Sequence, residues 1–263
     1  MKYMYTTIII EAKILGEAWE KACRVMLKSG HKRHVAAPEY QIETLDLPML
    51  IKVEKPMQEP RLSSLAEDSR EVVEEYTKTY LFGYKEAGKE KEFEYTYHSR
   101  LRCYPDCKVR AWLPAVSENE KDLVNQIKEI IPDGKCVLER IDQVDYAIKI
   151  FKRDPTRRTV VLSTWIPYRD LMKFGPRRED TSSPCLVLIH PQLVDNFFHF
   201  FVIMKTNDLY NAWPGNAFAF TTLQKYMADK IGVKVGTYTH FSISMQIYKD
   251  KWEEARKKFK IYG

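Results

Sequence analysis

Residues 215–232, GNAFAFTTLQKYMADKIG, form a helix-length segment whose first half carries almost no charge. A helix that is apolar most of the way round has no face to offer water, so other elements must surround it. Directly upstream, FFHFFVIM (197–204) is a short, very apolar run and reads as a strand. Together the two segments require a fold thick enough to bury a helix against a sheet.

The rest of the chain supplies that sheet and its cover. Residues 5–11 read as a strand, and 15–29 as an amphipathic helix with Gly30 as its C-terminal cap. QIETLDLPMLIKVEKP (41–56) alternates polar and apolar in its first half and reads as extended chain around Pro48. EDSREVVEEYTKTYLFG (67–83) is helical, with Val72, Val73, Tyr76, Tyr80 and Leu81 on one face; 83–92 reads as a charged, exposed loop. Ser117 and Glu120 have capping-box spacing ahead of a helix striped by Leu123, Val124, Ile127 and Ile130. A further helix covers 141–152 and stops before Pro155. RTVVLSTWI (158–166), CLVLIH (185–190) and TYTHFSISMQIY (237–248) read as strands, the last alternating on Tyr238, His240 and Ser242. No repeat or low-complexity linker divides the 263 residues, so the expected class is α+β in one domain, 1–263.

Charge and cysteine content narrow the setting more than the activity. A net charge of +6 spread along the chain suits an anionic ligand or nucleic acid and selects neither. The five cysteines are odd in number and follow no secretory segment, so a reduced cytoplasmic interior is expected rather than a disulfide framework. No apolar stretch reaches the ~20 residues needed to span a bilayer. Cys103 and Cys107 have no second pair at zinc spacing, and no metal site is expected.

One cysteine stands out by position. Cys185 directly follows Pro184 and opens an apolar strand; an isolated thiol in such a place is most often a packed core residue. Further on, Lys205, Thr206, Asn207, Asp208, Asn211 and Asn216 lie between a very apolar strand and a very apolar helix. Polar groups there must be hydrogen-bonded, to one another or to a ligand. A turn with a helix cap would satisfy some of them. Arg157 and Arg158 stand side by side at a strand entrance, where neighbours face opposite ways; such a pair is either solvated or a phosphate clamp.

IDQV (141–144), DPTRR (154–158), STW (163–165), PC (184–185), KTNDLYNAWPGN (205–216) and GTYTHFSISMQIY (236–248) occur in an order that resembles the folate-dependent thymidylate synthase and pyrimidine hydroxymethylase family, in its divergent archaeal branch. Lys205 lies 20 residues after Cys185, Asp208 23, Asn216 31 and Tyr248 63, separations similar to the family's without a gap. Motifs cover 95–248; residues 1–94 are divergent. The resemblance implies a mixed β-sheet covered by helices, and a methyltransferase reaction at C5 of a uracil nucleotide, dUMP to dTMP in type. The donor implied is methylene-tetrahydrofolate or its archaeal analogue, methylene-tetrahydromethanopterin.

The same resemblance implies residue roles. Cys185 would be the nucleophile that adds to C6 of uracil, and a thiol doing so near neutral pH needs positive charge or hydrogen-bond donors beside it. Arg157, Arg158 and Lys205 are those charges; Lys205 stands where the family has arginine, and a single ammonium cannot grip phosphate bidentately. Asn216 would take uracil N3–H and donate to O4, where relatives acting on cytosine carry aspartate. Asp208 would position base and pterin, and Tyr248 the sugar hydroxyl, with Gln246 in place of the usual histidine. EYTYHSRLRCY (94–104) places Tyr97 as the active-site tyrosine, and SGHKRHV (29–35) offers Arg33 or Lys32 as an early phosphate contact on a short loop. Glu71, Glu74 and Glu75 are candidates for a proton relay, and Arg177 and Arg178 for an anionic cofactor tail. A homodimer is expected, in which the arginine pair crosses to the partner's phosphate. Two alternatives stay open: hydroxymethylation on the same scaffold, and a non-catalytic member binding nucleotide or RNA.

Overall fold

The computed structural model describes residues 5–37, 40–81, 96–102, 141–165, 170 and 183–261. Seven strands form one mixed sheet: β1 (Ile8–Ala12), β2 (His31–Ala37), β3 (Tyr40–Val53), β4 (Leu162–Ser163), β5 (Leu186–Val194), β6 (Phe197–Asp208) and β7 (Lys234–Tyr248). Their order is β1-β3-β7-β6-β5-β4, with β2 paired to β3. β1 with β3 and β6 with β7 are parallel; the other pairs are antiparallel. The helices are α1 (Leu15–Ser29), α2 (Arg70–Tyr76), which runs into a single wide turn at Thr77–Leu81, α3 (Tyr97–Arg102), α4 (Gln143–Arg153), α5 (Ala212–Ile231) and α6 (Trp252–Lys258). The α+β expectation holds.

α5 is the buried central helix its sequence demands. From Trp213 to Met227 nearly every side chain is covered, and Gly232 closes it in the left-handed conformation, φ 91°. It is the crossover between parallel β6 and β7, so its first turns sit beside the C-terminal end of β6. β5 and β6 are joined by Asp195 and Asn196, both at positive φ (49° and 64°), the pair of conformations that a two-residue hairpin uses. That tight turn sets the register as far as Leu188, and a bulge between Leu188 and Leu186 shifts it by one and brings Cys185 opposite Lys205, whose N–H donates to Cys185 O at 2.9 Å. Among the described residues no helix is long and apolar enough to cross a membrane.

Several expectations need correction. Of the strand expected over 158–166, the described residues form Leu162–Ser163 alone, which among the described strands pairs only with β5. β6 does not end at Met204 but continues through Asp208, so the polar residues read as a turn stand on a strand. SGHKRHV is no loop: Arg33 lies on β2, paired with Thr44 of β3. Asp46, polar in an alternating segment, is fully buried, since β3 is covered on both faces there. Val72 is exposed, and Thr77 takes its place on the buried face of α2. Pro48 marks the slip in register between β3 and β7, where its missing N–H costs no ladder bond. The Ser117 helix, the 83–92 loop, Cys103, Cys107, Cys136, Arg177 and Arg178 lie outside the described residues.

Candidate functional site

The end of β6 is the axis on which the polar side chains converge. At Cys185, which is half-buried, Thr206 Oγ1 approaches the sulfur at 3.3 Å. The Lys205 ammonium bonds Ser183 Oγ and lies 5.2 Å from the centre of the Trp165 ring, itself anchored through Nε1 to Pro184 O at 2.8 Å. Burial lowers the Lys205 pKa, while negative charge at Cys185 and Asp170 raises it. Asp170 is held by two parallel bonds from buried Arg100, at 3.1 and 3.0 Å. The Lys205 ammonium, which feels charge at Cys185, thus stands between Ser183 and the Trp165 ring, and a cation near a thiol favours its thiolate form.

One residue further on, Asn207 meets Asn216 in the second turn of α5. Asn216 Nδ2 donates to Asn207 Oδ1 at 3.3 Å, and Asn216 Oδ1 accepts from Tyr76 Oη at 2.8 Å. Asn207 Nδ2 faces Met204 Sδ and His240 Nε2, both at 3.3 Å. Burial holds the pKa of His240 down at about 3, so it is neutral, and its Nδ1 lies 2.8 Å from Tyr238 Oη.

Asp208 folds the β6–α5 junction. Its Oδ1 accepts from the N–H groups of Tyr210 (3.0 Å) and Asn211 (3.1 Å), and Oδ2 accepts from Asn211 Nδ2 (2.8 Å). Burial raises its carboxyl pKa against those bonds. Oδ2 keeps a lone pair for one more donor.

Gln246, paired in register with Asp208, belongs to a cluster around Asp46. Asp46 accepts from Tyr5 Oη (2.7 Å), Arg33 Nη1 (3.2 Å), Ser244 Oγ (2.6 Å) and Gln246 Nε2 (3.2 Å). Arg33 is thereby oriented by a carboxylate, with its guanidinium still largely exposed. Tyr248 lies two residues beyond Gln246, opposite Thr44. Other candidates fall outside this group. Tyr97 is buried, with its ring 5.5 Å from that of Phe220. Lys32 lies over Trp252. Arg157 and Arg158 are exposed, and Arg157 pairs with Asp154 at 3.1 Å. Of α2, Tyr76 reaches Asn216, whereas Glu71 is exposed and Glu74 bonds Arg70 at 2.9 Å; Glu75 is half-buried.

Sequence reasoning missed Asp46, Arg100 with Asp170, and the contact of Tyr76 with Asn216. Only Tyr76 left a trace, as a polar tip on an otherwise apolar helical face.

Comparison with known proteins identifies the family of the chain. A family model for thymidylate synthase matches residues 65–261. A protein of Methanocaldococcus jannaschii named "Putative thymidylate synthase" is 32% identical over 203 residues, 76% of this chain and 75% of that one. One of the same name from Methanosarcina barkeri is 27% identical over 245 residues, covering 93% and 91%. Among solved structures, thymidylate synthase A from Bacillus subtilis aligns with a TM-score of 0.61 over 94% of this chain and 84% of that one; at 14% identity the likeness is one of fold. With the family model extending over more than half of its length, the chain belongs to the thymidylate synthase family.

Proposed function

We propose that the protein transfers a one-carbon unit to C5 of a uracil nucleotide, dUMP to dTMP in type, through a covalent adduct at Cys185. The observation that carries this reading is the juxtaposition, at one end of β6, of a thiol touched by Thr206 and an Asn216 amide held in a polar chain. Thiolate addition to C6 breaks the C5=C6 double bond and sends electrons to O4. Asn216 Nδ2, which has a second hydrogen to give, stabilises that oxygen, and Oδ1 has a second lone pair for N3–H. Lys205 holds positive charge beside the sulfur. Asp208 completes the set through the remaining lone pair of Oδ2, and Tyr97, packed against Phe220 outside the group around β6, is retained on the family resemblance alone.

The bound reduced pterin, methylene-tetrahydrofolate or methylene-tetrahydromethanopterin, supplies the carbon and the hydride. Arg157, Arg158, Lys205 and Arg33 serve the phosphate, and Gln246 and Tyr248 the sugar. A C2 homodimer in the cytoplasm is the proposed working form.

Incubation with 5-tritiated dUMP or UMP and each donor tests the reading. Tritium release with formation of the 5-methyl nucleotide, abolished in Cys185→Ala, is expected. A 5-hydroxymethyl product would reassign the reaction, and absence of release with either nucleotide and both donors would overturn it.

A further inference from the structure

A glutamine amide can be turned either way round, so by position alone Gln246 offers a ligand a donor or an acceptor. Its surroundings remove that freedom. Asp46, 200 residues away in the chain, is fully buried on β3, in direct register with Gln246 of β7. A carboxylate so buried must be met by donors, because it has no hydrogen of its own to give and is out of reach of bulk water.

Among the described residues, the side chains that bond the Asp46 carboxylate all donate to it. Tyr5 Oη gives to Oδ1 at 2.7 Å, and Oδ2 accepts from Ser244 Oγ at 2.6 Å, Gln246 Nε2 at 3.2 Å and Arg33 Nη1 at 3.2 Å. The single hydroxyl hydrogen of Ser244 goes to the carboxylate, so the Gln246 atom 2.8 Å from Ser244 Oγ must be the donor of that pair. Both hydrogens of Gln246 Nε2 are thereby used, one toward Asp46 and one toward Ser244. Turned over, the amide would set Oε1 3.2 Å from a buried carboxylate oxygen, two acceptors with no hydrogen between them. Among the described residues nothing donates to Gln246 Oε1. What remains for a ligand is an acceptor.

We infer that Asp46 is a positioning residue that locks the Gln246 amide with its donor inward and its acceptor left for the ligand, so that Gln246 recognises a hydroxyl by accepting its hydrogen. The inference rests on the reading above that Gln246 serves the sugar, and it gives that reading a polarity. On the sugar of dUMP only the 3′-hydroxyl has such a hydrogen to donate. Asp46 touches Gln246 and Arg33, not the reacting atoms.

The test compares calorimetric affinities, without one-carbon donor, for dUMP and for the 5′-monophosphate of 3′-fluoro-2′,3′-dideoxyuridine, in which fluorine replaces the hydroxyl and cannot donate. Wild type should bind dUMP about tenfold more tightly, the size of one hydrogen bond. Asp46→Asn keeps the shape but offers an amide hydrogen, to which Gln246 can turn Oε1 and so present Nε2 to the sugar; the preference should fall to about twofold or less. Asp46→Ser, whose hydroxyl donates or accepts, imposes no direction either and is the second variant should Asp46→Asn not fold, with the same narrowing expected. A purely structural Asp46 would weaken both nucleotides together and leave the ratio unchanged; that result overturns the inference while the proposed reaction stands. Equal wild-type affinities overturn it too, and tritium release then reports separately on the reaction. If Gln246→Ala keeps the full wild-type preference, another group reads the hydroxyl, and the inference falls together with the sugar role of Gln246.

Discussion

At the scale of single residues, Lys205 and His240 show opposite uses of burial. Lys205 Nζ, half-covered between Ser183 and Trp165, pays for desolvation with a lowered pKa and is held charged by the negative groups near it. If its charge favours the thiolate of Cys185, Lys205→Met should slow covalent adduct formation with 5-fluoro-dUMP about tenfold, the effect of one pKa unit on thiolate population. Ground-state dUMP binding should change less; stopped-flow and calorimetry separate the two, and a larger loss in binding than in adduct rate would make the phosphate the main role of Lys205 and leave the thiolate to other groups. His240 is buried and neutral, with its pKa lowered from 6.5 to about 3. An unfolded chain takes up a proton below 6.5 that the native site refuses. Its contribution is therefore fully present above 6.5 and is lost as pH falls toward 3, with a slope of up to about 1.4 kcal/mol per pH unit. Asp208, with a raised pKa, acts in the opposite sense, so a comparison is needed. Urea midpoints at about pH 7 and about pH 5 should separate more in wild type than in His240→Gln; equal separations would mean that His240 protonates inside the fold.

At the scale of elements, two glycines that end helices do so for different reasons. Gly232 is left-handed with nothing within 4 Å of an added Cβ. Gly30 has an ordinary φ of −60°, but an added Cβ would fall 2.6 Å from Met26 O and 2.8 Å from Leu45 Cβ. Gly30→Ala should cost about 1–3 kcal/mol by overpacking α1 against β3, and Gly232→Ala about 1 kcal/mol by backbone strain. Denaturant midpoints test this, and a neutral Gly30→Ala would show that α1 can move away from β3. The contrast explains what was legible beforehand. The end of α1 could be read from a local pattern, as could α5 and the strands β5, β6 and β7, because periodicity and glycine are properties of neighbouring residues. The close approach of Leu45 to the glycine at 30 comes from β3 and could not. The same holds for the site: the spacing from Cys185 to Tyr248 was visible, but Asp46 draws partners from β2 and β7 and from Tyr5, and Tyr76 meets Asn216 across 140 residues. Contacts of that range are made by topology, and alternation along β3 said only that Asp46 was polar.

At the scale of the whole molecule, the face of the sheet opposite α5 carries a row of side chains in direct register: Ile9, Leu50, Phe241, Ile203 and Leu188, on β1, β3, β7, β6 and β5. Phe201 and Ile243 extend it on the same face, 40% and 51% exposed, and Ile9 is 66% exposed. An apolar band across five strands is more than scattered surface residues account for and has the character of a protein-binding surface. A second copy related by a two-fold axis suits it, since a flat sheet face is complementary to itself. Arg157 and Arg158, exposed just before edge strand β4 and remote from Cys185 in their own chain, would then have a use across the interface. Light scattering at micromolar concentration should give twice the 31.0 kDa chain mass. Phe201→Glu, a charge placed in the middle of the band, should yield monomers. If the arginines do cross, Cys185→Ala and Arg158→Ala variants, each inactive alone, should regain activity when mixed, because one hybrid site then has both groups intact. A dimer without such recovery would keep the interface but confine each arginine to its own chain, and a wild-type monomer would leave the apolar band to a different partner.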